Sequence, residues 1–422
     1  MKKIVALALT LLLALGMIPA ANAEQPVTVT LFQLKVEIDA ALQAFAQLYN
    51  ESHPGVTVKV ETFGGGADYH GALKAKLQAG QMPSLFNIEG KGGYDVWKDN
   101  MADMSDCAWA KDTDFAFIGD DGKTVGFPVA IEGFGLGYNA DILAKAGIDP
   151  ATLTTFSAVK AAIEKIDSMK AELGLDAVVS MAASISGGMW WTMGNHNFNA
   201  YYAGGIAYDD TTYLDMALKG EVDADRLTEY ANYVKLLFDY ADQEILTNGN
   251  YDAQVSSFAQ GKTAFINQGN WTDPNMKQLG AEFKMGYISH CFTDKAETAG
   301  LFMATPSWYC LNGGAPEAEQ KAAKDFLDFL ATTPEGADYM VNQAGMVPAF
   351  KSVTLKPTGQ FSAALVEASA KGGNYNWRFG SMPDGFAQNV LGPVFDLFAQ
   401  DHSDASVLIN DLTAAIATVP TM

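Results

Sequence analysis

The chain has 422 residues, and 27 lysines and arginines stand against 49 aspartates and glutamates, for a formal net charge of −22. This acidity argues against nucleic acid and anionic membrane surfaces as partners, because both are negatively charged. The length exceeds what a single core of usual size holds and predicts two domains. The cysteines Cys107, Cys291 and Cys310 are too few for a disulfide framework, although a Cys291–Cys310 bridge with Cys107 free is one arrangement.

Residues 1–23 have the pattern of a secretory signal peptide. Lys2 and Lys3 precede a short apolar run, and Ala21-Asn22-Ala23 is a small-residue cleavage site. No cysteine stands at the cut, so we expect no lipid anchor. No later apolar run is long enough to predict direct membrane insertion. We therefore expect an exported protein of the periplasm or another extracytoplasmic space.

The first domain alternates strands and helices. Val27–Phe32, Val56–Glu61 and Leu85–Ile88 have strand patterns, whereas Ile38–Asn50 and Tyr69–Ala79 have the apolar spacing of helices. This order predicts a parallel sheet with right-handed crossovers. Ligands of such sheets lie beyond the carboxyl ends of the strands.

Three polar side chains fall at those carboxyl ends and are candidate ligand contacts: Gln33, Asn87 and Glu89. Ordinary solvated loop polarity is the alternative for each. Nearby, Gly64-Gly65-Gly66 lacks the Lys-Ser/Thr of a phosphate-binding loop, and a flexible turn is the better interpretation.

The segment Gly126–Asn139 is the one around which the rest of the chain is organised. Glu132 is followed by glycines at 133, 135 and 137, and a helix over 140–146 comes next. Because glycine is conformationally permissive, the pattern predicts a hinge strand that passes from one domain into another, with Glu132 at the crossing. A glycine-rich strand inside one α/β domain is the alternative.

Tryptophans mark the second domain. After a helix over 155–170 and a short strand at 178–182, Trp190 and Trp191 stand side by side and cannot both face one core, so one of them lines a cleft or both lie half-buried on the surface. Trp271 follows a predicted strand, 263–266, at its carboxyl end. There it either covers the core or offers a stacking face to the apolar C–H surface of a sugar ring.

Three stretches resemble family 1 extracellular solute-binding proteins of ABC importers. Phe258–Trp271 is similar to the helix, strand and tryptophan signature, Pro128–Asn139 to the crossing strand, and Ala323–Val353 to the helix, hinge and return. The similarity is greatest to the maltose/maltodextrin-type sugar-binding proteins. The chain departs from the pattern at Gly137, where a larger apolar residue is usual, and at Ser84, where an aspartate is usual.

The resemblance implies an α/β two-lobed periplasmic-binding-protein fold of type II. Each lobe is then a mostly parallel sheet flanked by helices, and the chain crosses between lobes near 130–132, 298–301 and 330–335. Residues 24–131 and 300–330 would form lobe 1, and residues 132–299 and 331–422 would form lobe 2.

The resemblance also implies a function. A monomeric receptor would capture a sugar, expected to be an oligosaccharide, between the lobes and deliver it to a membrane-embedded ABC permease, without catalysis. Around the cleft it places Glu132, Trp271 and Trp377, with Glu89, Trp190 and Trp191 as further candidates. Beside Trp377, Arg378 has the planar donors to bridge two sugar hydroxyls or pair with a sugar carboxylate, unless it only packs on the surface.

Other chemistry has little support. The histidines show no pair at metal-ligand spacing, and neither a nucleophile elbow nor a Walker loop occurs, so we expect no metal and no cofactor. Two alternatives remain open. One is a ferric-ion receptor of the same architecture that uses Tyr201 and Tyr202, and the other is a secreted carbohydrate-active enzyme that uses Glu89 and Glu132 as its carboxylates.

Overall fold

A computed structural model describes residues 26–295 and 300–421. The predicted signal peptide lies outside the described residues. Within the described ranges no helix is both long and apolar enough to cross a membrane.

The strands of the described part of the chain form three sheets. In chain order they are β1 Val27–Gln33, β2 Val56–Thr62, β3 Leu85–Ile88, β4 Phe117–Ile118, β5 Thr124–Pro128, β6 Glu132–Phe134, β7 Leu136–Asn139, β8 Val179–Ser180, β9 Phe265–Ile266, β10 Met285–Ile288, β11 Phe302–Ala304 and β12 Trp308–Leu311.

Helices connect these strands and cover the sheets. The α-helices are Asp39–Ser52, Tyr69–Gln78, Gly90–Trp97, Ala140–Lys145, Phe156–Ser168, Lys170–Leu173, Asn199–Ala203, Thr212–Leu218, Ala224–Asp239, Gln243–Asn248, Tyr251–Ala259, Asp273–Gln278, Glu317–Thr332, Pro334–Asp338, Gln360–Lys371, Gly392–Gln400 and Ala405–Ile416. Three segments are π-helical: Thr192–Asn197, Tyr339–Gln343 and Ala387–Leu391. Short 3₁₀ turns include Val36–Ile38, Asn270–Thr272 and Phe379–Ser381.

The sheets are mixed, which corrects the expectation that they are mostly parallel. The first sheet has the order β2-β1-β3-β12-β5-β4, in which β1 runs parallel to β2 and β3 while β12 is antiparallel to β3 and β5. The second has the order β10-β7-β9-β8, with only β8 and β9 parallel. In the first sheet the reason is that the chain returns from the second lobe before β12. This strand therefore enters the sheet from the cleft side and runs antiparallel to β3 and β5, whose carboxyl ends face the cleft.

Two large cores define the two lobes. Around the first sheet, Phe127, Tyr309 and Phe326 are buried together. Ile163 and Phe265 belong to a separate, larger core around the second sheet. The predicted two-lobed α/β fold is therefore present.

The segment around Glu132 passes through all three sheets. β5 lies in the first sheet, β6 pairs with β11 in a two-stranded sheet, and β7 lies in the second sheet. This division excludes a strand that stays inside one domain. The antiparallel β6 and β11 are two crossings side by side, the first as predicted and the second just after the predicted 298–301.

The third crossing lies later in the chain than predicted. Tyr339 and Met340 pack in the core of the first lobe, and Ser352 is hydrogen-bonded to Asp112 of that lobe. Gln360 then binds the backbone of the second lobe at Met285. The chain therefore crosses between 353 and 360 and not at 330–335, because apolar side chains of residues 339–346 pack in the first core, where Tyr339 stacks on Phe45.

The cysteines are buried free thiols. Cys291 lies in the core of the second lobe, whereas Cys310 packs with Phe86 on one face of the first sheet. The Cys291–Cys310 bridge considered above is thus not formed.

Candidate ligand-binding cleft

A cleft separates the lobes where the strands of the first sheet end, and both lobes line it. Its cavity of about 120 Å³ is several times the roughly 10–15 Å³ that one water molecule needs. The first lobe contributes residues 34–37 and 64–67 with Tyr69, His70, Glu89, Pro306 and Ser307, and the crossing and second lobe contribute Glu132, Trp190, Trp191, Asn195, His196, Tyr251, Trp271 and Trp377.

An ion-paired triad lies at the base of the cleft. Nζ of Lys35 is 2.5 Å from Oε1 of Glu132 and 2.9 Å from Oε1 of Glu37, and all three side chains are at least nine-tenths buried. Burial disfavours the charged ammonium, but Glu132 and Glu37 outweigh it and raise the pKa of Lys35. Burial also raises the pKa of Glu132, and Lys35 opposes that rise. The lysine is therefore held charged between two carboxylates.

Aromatic rings form the wall of the second lobe. Trp271 meets Trp191 and Trp377 edge to face, with ring centroids 6.2 and 6.0 Å apart. Nε1 of Trp271 donates to Oε1 of Gln268 at 2.8 Å, and the ring lies so close to Gly269 that a Cβ there would come within 2.1 Å of it. Trp271 thus both lines the cleft and packs in the second core, with 9% of its surface exposed.

His196 lies among the rings of these tryptophans. Its centroid is 4.7 Å from that of Trp271 and 5.2 Å from that of Trp377. Burial, with the nearby positive charge of Lys35, lowers the pKa of His196 to about 3. The imidazole is therefore neutral at ordinary pH.

The lobes also touch each other beside the cleft. Nδ1 of His70, on the helix that Asp68 caps, lies 2.9 Å from Oδ1 of Asp384 in the second lobe. Its Nε2 lies 3.5 Å from Oε2 of Glu89. Burial would lower the pKa of His70, but Asp384 and Glu89 raise it to about 10.

Backbone atoms of the two lobes also lie close to each other. A Cβ built on Gly66 would lie 2.2 Å from the carbonyl oxygen of Gly188, and one on Gly90 would lie 2.4 Å from that of Gly380. The indole Nε1 of Trp190 donates across the cleft to the carbonyl oxygen of Gly66 at 3.3 Å. The structure is therefore a closed arrangement of the two lobes, and Gly64–Gly66 is a lobe contact more than a flexible turn.

Six of the residues singled out in the sequence line the cleft, and three do not. Glu89, Glu132, Trp190, Trp191, Trp271 and Trp377 line it. Gln33 is buried and accepts from the backbone N–H of Lys35 at 2.6 Å. Asn87 donates to the hydroxyl of Ser307 at 2.8 Å. Both side chains hold cleft loops in place instead of facing the cavity.

Arg378 points away from the cleft. Its Nη2 donates to the carbonyl oxygen of Tyr208, while its neighbours Trp377 and Phe379 face the cavities. Arg378 has helical backbone angles, φ −85° and ψ −20°, and immediately precedes the 3₁₀ turn Phe379–Ser381. A direct ligand contact by Arg378 therefore has no support in this closed form.

Sequence reasoning missed Lys35, His70, His196 and Tyr251 as cleft residues. Lys35 had a usable signal, because it follows Gln33, the last residue of β1, by two positions at the carboxyl end of that strand. His70 and Tyr251 occupy the first turns of helices, a position that gives no sign of the neighbouring lobe.

Comparison with known proteins places the chain in a family. The family described as bacterial extracellular solute-binding protein matches residues 44–368. The melibiose/raffinose/stachyose-binding protein MelE of Bacillus subtilis is 23% identical over 322 residues, which are 71% of this chain and 68% of that protein. The multiple sugar-binding protein of Streptococcus mutans is 23% identical over 73% of this chain and 72% of its own length.

The fold is shared with solved structures as well. A sugar transporter from Bacillus licheniformis in complex with stachyose superposes with a TM-score of 0.75 at 17% identity, over 93% of this chain and 100% of that one. Since the family match spans most of the chain, the protein belongs to the bacterial extracellular solute-binding proteins.

Proposed function

We propose that this extracytoplasmic binding protein captures an oligosaccharide between its lobes and delivers it to an ABC import permease. The observation that carries the proposal is the cleft itself, in which Trp190, Trp191, Trp271 and Trp377 surround a cavity whose base holds Glu132. Indole rings pack on the apolar faces of sugar rings, while carboxylates accept hydrogen bonds from sugar hydroxyls. The sugars named for its relatives support the same ligand class.

Closure follows from where the ligand binds. A sugar that touches Trp271 of one lobe and Glu89 of the other stabilises the closed state more than the open one. The permease then recognises the closed protein. We further propose a monomer, removal of residues 1–23 after Ala23, and no lipid anchor. Amino-terminal sequencing and the mass of the exported protein test the last two points.

The structure gives less support to the two alternative functions, a ferric-ion receptor and a carbohydrate-active enzyme. For a ferric site, Tyr201 would have to present its hydroxyl, which instead accepts the N–H of Asp223 at 2.9 Å. The described residues also include no group of three or more His, Cys, Asp or Glu able to hold a metal. For an enzyme, Glu132 is held by Lys35. We propose that oligosaccharides bind without being cleaved.

Native mass spectrometry of freshly purified protein is the first test. We expect the mass of a carried-over sugar, and its exchange for added raffinose or stachyose. The same samples, analysed for products after long incubation, should contain the intact sugar. A carried-over ligand of another chemical class, with no binding of any sugar by calorimetry, would count against the proposal, and cleaved products would favour the enzyme.

A further inference from the structure

A second cavity of about 40 Å³ continues the cleft beyond Trp190. It shares His70, Glu89, Trp190 and Asn195 with the lining of the main cavity. Trp190 therefore lies between two neighbouring cavities, each of which is lined by both lobes.

Two π-helical segments shape this second cavity. Asn195 comes from Thr192–Asn197, and Gln388 comes from Ala387–Leu391. The segments pack closely, because a Cβ on Gly194 would lie 3.0 Å from the carbonyl oxygen of Ala387. Such π-helical turns are rare and frequently occur at functional sites. Here they bring two amide side chains into one wall.

Tyr202 lines the same cavity and has an unsatisfied hydroxyl. The side chain is fully buried, and its phenolic oxygen has no hydrogen-bond partner. Leaving such a group unpaired costs the energy of its lost hydration, so most buried hydroxyls have a partner. The adjacent Tyr201 has one, in the N–H of Asp223. Because Tyr202 lines this cavity, a ligand group bound there is the candidate partner of the hydroxyl.

The charged groups of this cavity are already neutralised. Asp384 and Glu89 lie against His70, whose pKa they raise to about 10, and Lys74 lies 3.2 Å from Asp384. A further charge on the ligand therefore has no free counter-charge here. The volume equals that of about three or four water-sized groups, which is less than a whole sugar ring together with its substituents.

We infer that the second cavity is a subsite for the hydroxylated arm of a further sugar unit, and that the hydroxyl of Tyr202 binds this arm. The inference rests on the proposed function and adds to it that the ligand extends past Trp190. It predicts that the hydroxyl of Tyr202 contributes to the affinity for longer sugars but not to the affinity for shorter ones. The polar groups available, a phenol with the amides of Asn195 and Gln388, suit uncharged hydroxyls.

Calorimetry with melibiose, raffinose and stachyose tests the subsite. These probes contain two, three and four sugar units. Tyr202→Phe removes only the hydroxyl, so the fold should remain intact and the melting temperature should not fall. We expect the variant to bind the probes that reach the cavity roughly five- to tenfold more weakly, as one lost hydrogen bond implies. Its affinity for the shortest probe that wild type binds should be unchanged.

Tyr287→Phe is the matched control, because the hydroxyl of Tyr287 is also buried without a partner but Tyr287 lines neither of the two cavities. This variant should bind every probe like wild type. Equal affinity of Tyr202→Phe and wild type for all probes would overturn the subsite, and so would an equal loss at every length. Wild-type protein that binds none of the three sugars would instead overturn the proposed function, and the subsite with it.

Discussion

Nζ of Lys35 lies 2.5 Å from Oε1 of Glu132, and this contact ties the first lobe to the first crossing strand. Lys35 follows β1, whereas Glu132 begins β6. The pair sits under the cavity, with Glu37 on the other side of the ammonium. One contact therefore fixes a carboxylate at the base of the cleft and joins the hinge to a lobe.

Removing one member of this pair should be costly. Lys35→Met leaves two buried carboxylates without their cation, so it should lower the free energy of unfolding by about 3–5 kcal/mol. Glu132→Gln should cost less, because Glu37 still pairs with Lys35, and the double variant should lose less than the sum of the two. Denaturant unfolding of the four proteins measures this coupling, and strictly additive losses would contradict it.

An exposed pair provides the control for that cycle. Nζ of Lys371 lies 2.7 Å from Oε1 of Glu367, but both side chains are about 70% exposed. Surface pairs of this kind contribute little, because water screens them. The corresponding cycle, Lys371→Met with Glu367→Gln, should show no measurable coupling.

Trp271→Ala should weaken both binding and stability. Loss of an aromatic anchor in the cleft reduces affinity by roughly 2–4 kcal/mol. Since Trp271 also packs in the second core, the free energy of unfolding should fall as well, by about 3–5 kcal/mol. The control is Trp109→Ala in the first core, which should lose stability while the folded protein keeps its affinity. Unchanged sugar affinity in Trp271→Ala would remove Trp271 from the site.

Gly66→Ala should hinder closure. The new Cβ would lie 2.2 Å from the carbonyl oxygen of Gly188 in the other lobe. We expect weaker sugar binding and, by small-angle scattering, a larger radius of gyration at ligand saturation than in wild type. Gly55→Ala is the matched control, because both glycines have φ of 96° but nothing lies within 4 Å of a Cβ on Gly55. If the two variants bind sugar equally well, this contact does not limit closure.

Ligand binding should take up a proton above neutral pH. Burial would lower the pKa of His70, but Asp384 of the second lobe, together with Glu89 of its own lobe, raises it from 6.5 to about 10. Stabilisation of the closed state by this contact is therefore complete below about pH 6.5 and is lost as the pH rises through about 10. Calorimetry at pH 8 in buffers of different ionisation enthalpy measures the uptake.

Asp384→Asn keeps the shape of the contact and removes its charge. Glu89 remains beside the imidazole of His70, Tyr69 still contacts the edge of that ring, and Lys74 remains near the substituted side chain. We expect less proton uptake and a flatter dependence of affinity on pH. Equal uptake in the variant and in wild type would show that His70 does not titrate with closure.

Local patterns predicted most of the elements well. The strand predicted over Leu85–Ile88 has those bounds, and the helix predicted over 38–50 is Asp39–Ser52. Periodicity and helix caps depend on neighbouring residues, so they can be recognised without the rest of the chain. The glycines of the hinge were recognised but misinterpreted. Gly135 has no positive φ and is needed because a Cβ there would lie 2.4 Å from the carbonyl oxygen of Ile288.

The sequence by itself determined the family, the crossing at Glu132 and the aromatic character of the cleft, because each depends on residues within a short continuous stretch of the chain. Only the tertiary structure decided which polar side chains face the cavity. Glu89 faces it, whereas Gln33 and Arg378 bond to backbone groups nearby. The tertiary structure also decided where the chain crosses between the lobes for the third time and that Lys35 contacts Glu132. Such contacts join residues far apart in the chain, and packing of the whole molecule sets them.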